Sequence, residues 1–122
     1  VPNRHIAGVI EVFLKKYFTD KTDWRAMLKN EVATNIDLLA EKEKALGLLS
    51  AELRKYAEPD NLVTQIEYPV IEYPQKLNSL SFDKQPLISG ILKGIKGQYL
   101  IFDEGNVLNI RKHNGYRLEI KY

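Results

Sequence analysis

The chain contains no cysteine, which excludes disulfide bonds, thiol catalysis and a cysteine-ligated zinc site within it. Its two histidines, His5 and His113, stand alone in the sequence, at no metal-ligand spacing. The sequence also lacks a phosphate-binding Walker loop, a dinucleotide-binding glycine pattern and a serine-nucleophile motif. It therefore carries no complete catalytic constellation.

Long apolar runs are missing as well. No stretch approaches the roughly 18 residues that a membrane-spanning helix needs, and no secretory signal peptide is present. The absence of cysteine agrees with a reducing compartment. We therefore expect a soluble, cytoplasmic protein with no membrane association.

An excess of charge of one sign is also absent, since the formal net charge over 122 residues is +2. This net positive charge is too small to indicate nucleic-acid binding by itself, but the charged residues are unevenly distributed along the chain. Residues 90–122 contain six cations against three anions. The cations are Lys93, Lys96, Arg111, Lys112, Arg117 and Lys121. Hydrophobic residues make up 44% and charged residues 28%, which is typical of a globular chain.

The first half of the sequence has helical periodicity. It predicts helix one over residues 5–18, helix two over 24–29 and helix three over 36–56. A start signal at residues 34–37 resembles a capping box with Thr34 as the N-cap. Leu39, Leu46 and Leu53 lie seven residues apart and predict one apolar stripe on helix three.

Helix one starts only four residues after Val1, and the chain does not open with Met. Its seven large apolar residues span an arc of roughly 180° at 100° per residue. That arc is wider than the stripe of about 100° on an ordinary surface helix. The seven are Ile6, Val9, Ile10, Phe13, Leu14, Tyr17 and Phe18. We expect a fragment of a longer protein that forms a homodimer through helix one or helix three.

In the second half of the sequence, apolar and polar residues alternate as they do in β-strands. Ile-Glu-Tyr-Pro occurs at 66–69 and again at 71–74, and the two prolines predict an edge or bulged strand. The odd offset of the repeat would place its copies on opposite faces of a continuous strand. Residues 87–95 predict a strand whose glycines mark a bend or a close backbone approach. Segments 98–103 and 106–111 predict a hairpin about Glu104-Gly105, and Asn114-Gly115 leads to a final strand over 116–122.

These patterns predict an α+β protein, with N-terminal helices followed by a small antiparallel lobe that resembles a β-barrel or a curled sheet. The change of period near residues 58–61 divides the chain into a helical segment, 1–58, and a β lobe, 61–122. We expect the helical segment to be the truncated end of a larger N-terminal domain.

The basic loop at 111–114 and the glycine turn at 94–97 give the strongest candidate site. Cations beside a tyrosine at one rim of a sheet hold a nucleic-acid backbone and stack a base in many proteins. The candidates are Lys93, Lys96, Tyr99, Arg111, Lys112 and His113. The alternatives are a solvated loop tip, which carries Lys and Asn for solubility, and a surface for a protein partner.

Glu11 lies on the flank of helix one, about 120° from the centre of its apolar stripe at 100° per residue. The ordinary interpretation is a surface ion-pair residue, since Arg4 and Lys15 share its side of the helix. The alternative is a metal-binding glutamate whose other ligands lie outside this chain.

Several motifs together resemble an uncharacterised bacterial family, "domain of unknown function 2797". They are GIKGQYLIFD at 94–103, VLNIRKHNGY at 107–116, AGVIEV at 7–12, DKTDWRAMLK at 20–29 and DLLAE at 37–41. The resemblance implies a longer parent with a cysteine-rich, metal-binding N-terminal half, followed by strands like those of GIY-YIG nucleases. It also implies that Glu11 corresponds to the glutamate that binds a divalent metal in that superfamily.

From the resemblance and the residues together, the leading hypothesis is a nucleic-acid-binding module for DNA or RNA. The alternatives are the C-terminal part of a GIY-YIG-like metal-dependent endonuclease and a protein–protein interaction module. The resemblance implies that Glu11 is catalytic only in the parent, which would hold the divalent metal. The tyrosine-bearing strands, the catalytic arginine and the cysteines are absent here, so we expect no cofactor and no nuclease activity in this chain.

Overall fold

Four helices come first along the chain and four short strands follow, in a computed structural model that describes residues 1–122. The helices are α1 (Arg4–Leu14), α2 (Trp24–Lys29), α3 (Leu38–Leu48) and α4 (Ala51–Arg54). The strands are β1 (Asn78–Leu80), β2 (Leu92–Lys96), β3 (Tyr99–Phe102) and β4 (Asn106–Asn109). The chain divides into two compact units, of which unit one comprises Val1–Asp23 and Ala33–Gln65, and unit two comprises Trp24–Val32 and Ile66–Tyr122.

The first helix of unit one begins at an asparagine cap. The Asn3 side chain accepts a hydrogen bond from the backbone N–H of Ile6 at 3.0 Å, which satisfies one of the unpaired donors at the helix start. The helix ends at Leu14, four residues before the predicted end. The backbone then continues in tighter turns, in which the N–H groups of Tyr17 and Phe18 both donate to the Leu14 carbonyl.

The predicted third helix is interrupted, and this corrects the sequence interpretation. Asp37, rather than Thr34, is the N-cap of α3, and its carboxylate accepts from the N–H groups of Leu39 and Ala40. Leu49 and Ser50 are extended, so the helix stops and α4 begins anew. The predicted stripe of Leu39, Leu46 and Leu53 is therefore split between two helices.

Arg54 explains where the third helix breaks. Its guanidinium donates to the carbonyls of Leu46, Gly47 and Leu49, at 3.0, 3.5 and 3.2 Å. Those carbonyls are among the groups that a helix C-terminus leaves without a partner. An arginine from the next helix thus takes the place of the backbone bonds that would have continued α3.

Unit two contains a four-stranded sheet in the order β1-β4-β3-β2. The predicted α+β class is confirmed, with helices followed by a small sheet. The sheet is open, so it does not form a barrel. It is also mixed rather than wholly antiparallel, because β1 pairs with β4 in parallel while the other pairs are antiparallel.

The predicted hairpin about Glu104-Gly105 is confirmed. Both residues have positive φ, at 54° and 74°, as the two-residue turn that matches strand twist requires. The Asn106 N–H closes this turn on the Asp103 carbonyl. Glycine adopts such a φ without strain, which is why Glu-Gly at this point predicted the turn correctly.

The repeated Ile-Glu-Tyr-Pro segment lies along the edge of the sheet without forming a strand. Val70 makes a single antiparallel bridge with Gly94, and the Ile71 and Ile95 N–H groups donate to the carbonyls of Lys93 and Pro69. Pro69 and Pro74 have no N–H, so the ladder cannot extend. A Cβ on Gly94 would lie 2.8 Å from the Val70 Cα, which confirms the predicted close backbone approach.

The predicted final strand over 116–122 does not form. The backbone turns at Gly115, where φ is +86°, and the Tyr116 N–H donates back to the His113 carbonyl. The alternating residues that follow have no neighbouring strand to pair with. The turn prediction at Asn114-Gly115 was therefore right and the strand prediction was wrong.

The core of unit two forms where α2 packs on the sheet. Leu28 from the helix is buried with Tyr99, Ile101 and Val107 from the two central strands. Trp24 packs against the same cluster, and its ring stacks on Tyr99 with centroids 5.8 Å apart. Trp24 is therefore part of this core. No helix of either unit is both long enough and apolar enough to cross a membrane.

Candidate functional site

One end of the sheet gathers most of the predicted site residues. We define the basic end as the point where β2 ends at Lys96, β3 begins at Tyr99 and the 3₁₀ turn Ile110–His113 follows β4. Lys96 pairs with Tyr99, and Tyr99 pairs with Asn109 across the next strand. The Ile110 N–H donates to the Gln98 carbonyl at 3.0 Å, which ties the 3₁₀ turn to the β2–β3 turn.

Arg111 and Lys112 are the exposed members of the basic end. Both side chains project from the 3₁₀ turn, and neither forms an ion pair with a carboxylate of this chain. Two unneutralised cations are therefore held side by side on a backbone that the sheet fixes. Both positive charges are therefore available to an external anion.

His113, the last residue of the same turn, is buried rather than presented. It is 5% exposed, and its ring lies edge-on to Phe82 and Tyr116, with centroids 5.1 and 5.2 Å away. Neither ring nitrogen has a hydrogen-bond partner. A buried N–H without a partner costs about 1–3 kcal/mol, so aromatic packing alone holds this imidazole in place.

A Tyr116–Asp83 pair adjoins the histidine, and sequence reasoning missed it. The Tyr116 hydroxyl donates a short hydrogen bond to the Asp83 carboxylate, which also accepts from the Ser81 hydroxyl. These bonds, the one from Tyr116 foremost, lower the pKa of Asp83, and the same pair raises the pKa of Tyr116. The two residues are 33 apart in sequence, so no local pattern could have indicated the pair.

Lys96 lies at the basic end but is enclosed, being 6% exposed. Its ammonium donates to the Asn30 side-chain oxygen at 3.0 Å. It also lies 5.2 Å from the ring centroid of Tyr68 and 4.9 Å from that of Tyr73. Burial lowers the pKa of this amine. The two tyrosines belong to the two copies of the repeat and share one lysine, because the repeat is not the continuous strand that would have separated them.

The two remaining nucleic-acid candidates are placed differently. Tyr99 is buried in the core, where its ring stacks on Trp24. Lys93 lies towards the opposite end of the sheet, where β2 begins, and pairs with Glu72 at 3.4 Å. It lines a pocket of about 250 Å³ with two further acids, Asp103 and Glu104. The structure thus places Lys96, Tyr99, Arg111, Lys112 and His113 at the same end of the sheet, where Arg111 and Lys112 are exposed and the other three are buried, and leaves Lys93 apart.

Glu11 is an exposed residue of α1 in unit one. Its carboxylate forms an ion pair with Lys15 at 2.9 Å, and Lys15 also meets Asp20 at 3.1 Å. The hydrogen bond to Glu11 is the main cause of the raised pKa of Lys15. Nowhere in residues 1–122 do three or more His, Asp or Glu side chains form a group that could hold a metal ion. The metal-ligand role of Glu11 and the relation to GIY-YIG nucleases stay predictions.

Comparison with known proteins gives a single result. No curated protein and no solved structure matches the chain. A family model described as "Protein of unknown function (DUF2797)" matches residues 1–118. Because that match covers nearly the whole chain, this protein belongs to the DUF2797 family.

Proposed function

We propose that unit two binds the phosphate backbone of DNA or RNA through its basic end. The observation that carries this proposal is the pair of exposed cations, Arg111 and Lys112, on a turn whose backbone is fixed at both sides. The Ile110 N–H bond to Gln98 holds one side, and buried His113 holds the other. A fixed pair of cations loses less side-chain and loop entropy on binding phosphate than a mobile tail does.

Three acids of unit two lie at the end of the sheet opposite Arg111 and Lys112, which supports the same proposal, while Asp83, beside His113, is hydrogen-bonded to Tyr116 and Ser81. The basic end carries Arg111 and Lys112, and the opposite end carries Glu72, Asp103 and Glu104 around Lys93. Such an asymmetric field orients a polyanion towards one end of the sheet. Phosphate contacts fix position and carry no sequence information. We therefore propose binding with little sequence preference.

Replacing Arg111 and Lys112 by alanine tests this proposal. Each phosphate neutralised contributes roughly −0.7 to −0.9 to the slope of log affinity against log salt concentration. The double variant should therefore bind a short labelled single-stranded or duplex oligonucleotide more weakly and reduce that slope by up to about two units. Fluorescence anisotropy across a salt series measures both quantities.

The matched control is Lys76→Ala with Lys84→Ala, which removes the same charge from exposed positions elsewhere in unit two. The control should keep the slope of the unaltered protein. If both double variants weaken oligonucleotide binding equally, the effect comes from net charge and not from the position of Arg111 and Lys112. If the unaltered protein does not bind the oligonucleotide at low salt, the proposal is wrong.

We further propose, as a second candidate function, that α1 mediates self-association. No residue of α1 is buried, and Val9 on its predicted apolar face is 40% exposed. Tyr17, in the turns that follow α1, is 56% exposed. Monomers rarely leave a contiguous apolar surface of this kind open. A two-fold arrangement would cover the same face on both copies.

Val9→Glu should shift this self-association towards monomer, because it places a charge in the proposed interface. Val12→Glu is the control, since residue 12 is 64% exposed and lies about 150° from the centre of the predicted apolar arc at 100° per residue. Sedimentation velocity over a dilution series distinguishes the two. A concentration-independent monomer for the unaltered protein would contradict the proposal.

A further inference from the structure

Buried Lys96 is one of the residues that line a pocket of about 420 Å³ in unit two. Its walls come from three separate segments: Asn30 and Val32 after α2, Ile66 to Tyr73 along the sheet edge, and Lys96 at the end of β2. This volume is within the range of roughly 300–1,000 Å³ that small-molecule sites occupy. Val32, Ile66 and the two tyrosine rings give it apolar surface, and its charged lining residues are Lys96 and Glu67.

We propose that this pocket binds a small organic anion, with the ligand's carboxylate or phosphate on Lys96 and its compact apolar body against Tyr68 and Tyr73. A buried ammonium is ordinarily paired with a carboxylate, because removing a cation from water without a counter-charge is costly. Lys96 forms no ion pair with any carboxylate of the chain.

The groups that surround Lys96 stabilise its charge without neutralising it. The Asn30 oxygen is a neutral acceptor, and the faces of Tyr68 and Tyr73 attract a cation only through their quadrupoles. The one carboxylate that lines the pocket, Glu67, forms no ion pair with Lys96, so the ammonium has no paired counter-charge. An oxyanion would supply it and would also raise the pKa of Lys96, which burial now lowers.

Asn30 is held in place before any ligand arrives. It occupies the left-handed position after α2, with φ at +60°. Its own N–H donates to the Met27 carbonyl and the Glu31 N–H donates to the Ala26 carbonyl, the two bonds of a helix-terminating Schellman motif. The amide that faces Lys96 is thus set by a rigid helix end, as a preorganised binding residue should be.

The proposal does not depend on the nucleic-acid function, since neither Arg111 nor Lys112 lines the pocket. The test uses three probes: benzoate, uridine monophosphate and inorganic phosphate. Titration followed by chemical shifts should show saturable binding of benzoate or the nucleotide at the Asn30 side-chain amide. Whichever of benzoate and uridine monophosphate has the higher affinity shows whether a carboxylate or a phosphate is the preferred oxyanion. Inorganic phosphate should bind more weakly than either, because it lacks an apolar body.

Lys96→Met should weaken this binding by about 10- to 100-fold, the loss that removal of one charged hydrogen bond produces. Lys93→Met removes the same charge from the same strand and should leave binding unchanged, since Lys93 pairs with Glu72 outside the pocket. Fluorescence of Trp24, the single tryptophan, shows whether each variant keeps the fold. Unchanged affinity in Lys96→Met, or no saturable binding of any probe, would overturn the proposal.

Asn30→Asp provides a second variant that does not depend on deleting the lysine. Aspartate tolerates the left-handed conformation and would place a carboxylate where the amide oxygen now meets Lys96. This built-in anion should block the probes while stabilising the fold at neutral pH. An Asn30→Asp protein that still binds the probes as well as the unaltered chain would contradict the proposal.

The pH dependence of stability gives an independent readout. The pKa of Lys96 is lowered in the folded state from its usual value of 10.5, so the unfolded chain binds its proton more tightly. Stability should therefore rise with pH between the folded pKa and 10.5. Saturating ligand, or Asn30→Asp, should abolish that rise, and a rise that persists in both would count against an anion on Lys96.

Discussion

Leu28→Ala is expected to lower the free energy of unfolding of unit two by roughly 2 to 5 kcal/mol, the range measured for buried leucines. Leu28 is 0% exposed and is the α2 residue buried with Tyr99, Ile101 and Val107. Its loss leaves a cavity between the helix and the sheet. Trp24 stacks on Tyr99 in the same cluster, so urea titration followed by tryptophan fluorescence reports the unfolding of this core directly.

The control for this prediction is Leu38→Ala at the start of α3, where the leucine is 61% exposed. Surface substitutions away from special features change stability by no more than about 0.5 kcal/mol. Equal midpoints for Leu28→Ala and the unaltered protein would show that α2 does not pack on the sheet. That result would also contradict the placement of Asn30 beside Lys96, which depends on where α2 ends.

Gly105→Ala is expected to destabilise unit two by about 2 to 5 kcal/mol, from two sources. The backbone there has φ at +74°, a region that costs an L-residue about 1–2 kcal/mol. The added Cβ would also overlap the Lys76 carbonyl oxygen, which belongs to the backbone and cannot rotate away. The β3–β4 turn or the segment before β1 must therefore shift.

Gly97→Ala separates those two sources. Gly97 also has a positive φ, at +58°, but a Cβ there meets no atom within 4 Å. It should lose only the backbone contribution, about 1–2 kcal/mol. The same fluorescence-monitored urea titration measures both variants. Equal destabilisation by the two would mean that the contact of Gly105 with Lys76 does not constrain the turn.

Elements with local signals could be predicted from the sequence. The α2 helix has the predicted bounds of 24–29, since a polar segment with capping residues precedes its apolar positions. The β3–β4 hairpin follows from alternation and from a Glu-Gly turn that tolerates positive φ. The close approach of Gly94 to Val70 follows from a glycine within a strand.

Elements fixed by distant partners could not be predicted. The break after α3 depends on Arg54 binding the carbonyls of the preceding helix. Strand β1, residues 78–80, forms because it pairs in parallel with β4, and three residues carry no periodicity of their own. Residues 116–122 alternate perfectly, yet alternation describes which face of a strand is apolar and not whether a partner strand exists.

The candidate site shows the same division. The cations of the 3₁₀ turn, Arg111 and Lys112, were identified from the sequence as exposed loop residues, and they are exposed. The enclosure of Lys96 was missed, because Asn30, Tyr68 and Tyr73 reach it from 66, 28 and 23 residues away. The repeated tyrosines were the available signal, and a break at Pro69 would have allowed both to face one side.

The proposed nucleic-acid interface is tested most directly by mapping backbone amide chemical shifts during titration with a short oligonucleotide at low salt. The account predicts that the largest shifts occur at residues 96–98 and 109–114, and that they are lost when Arg111 and Lys112 are both alanine. Shifts concentrated in unit one, or beside Lys93 at the opposite end of the sheet, would contradict it.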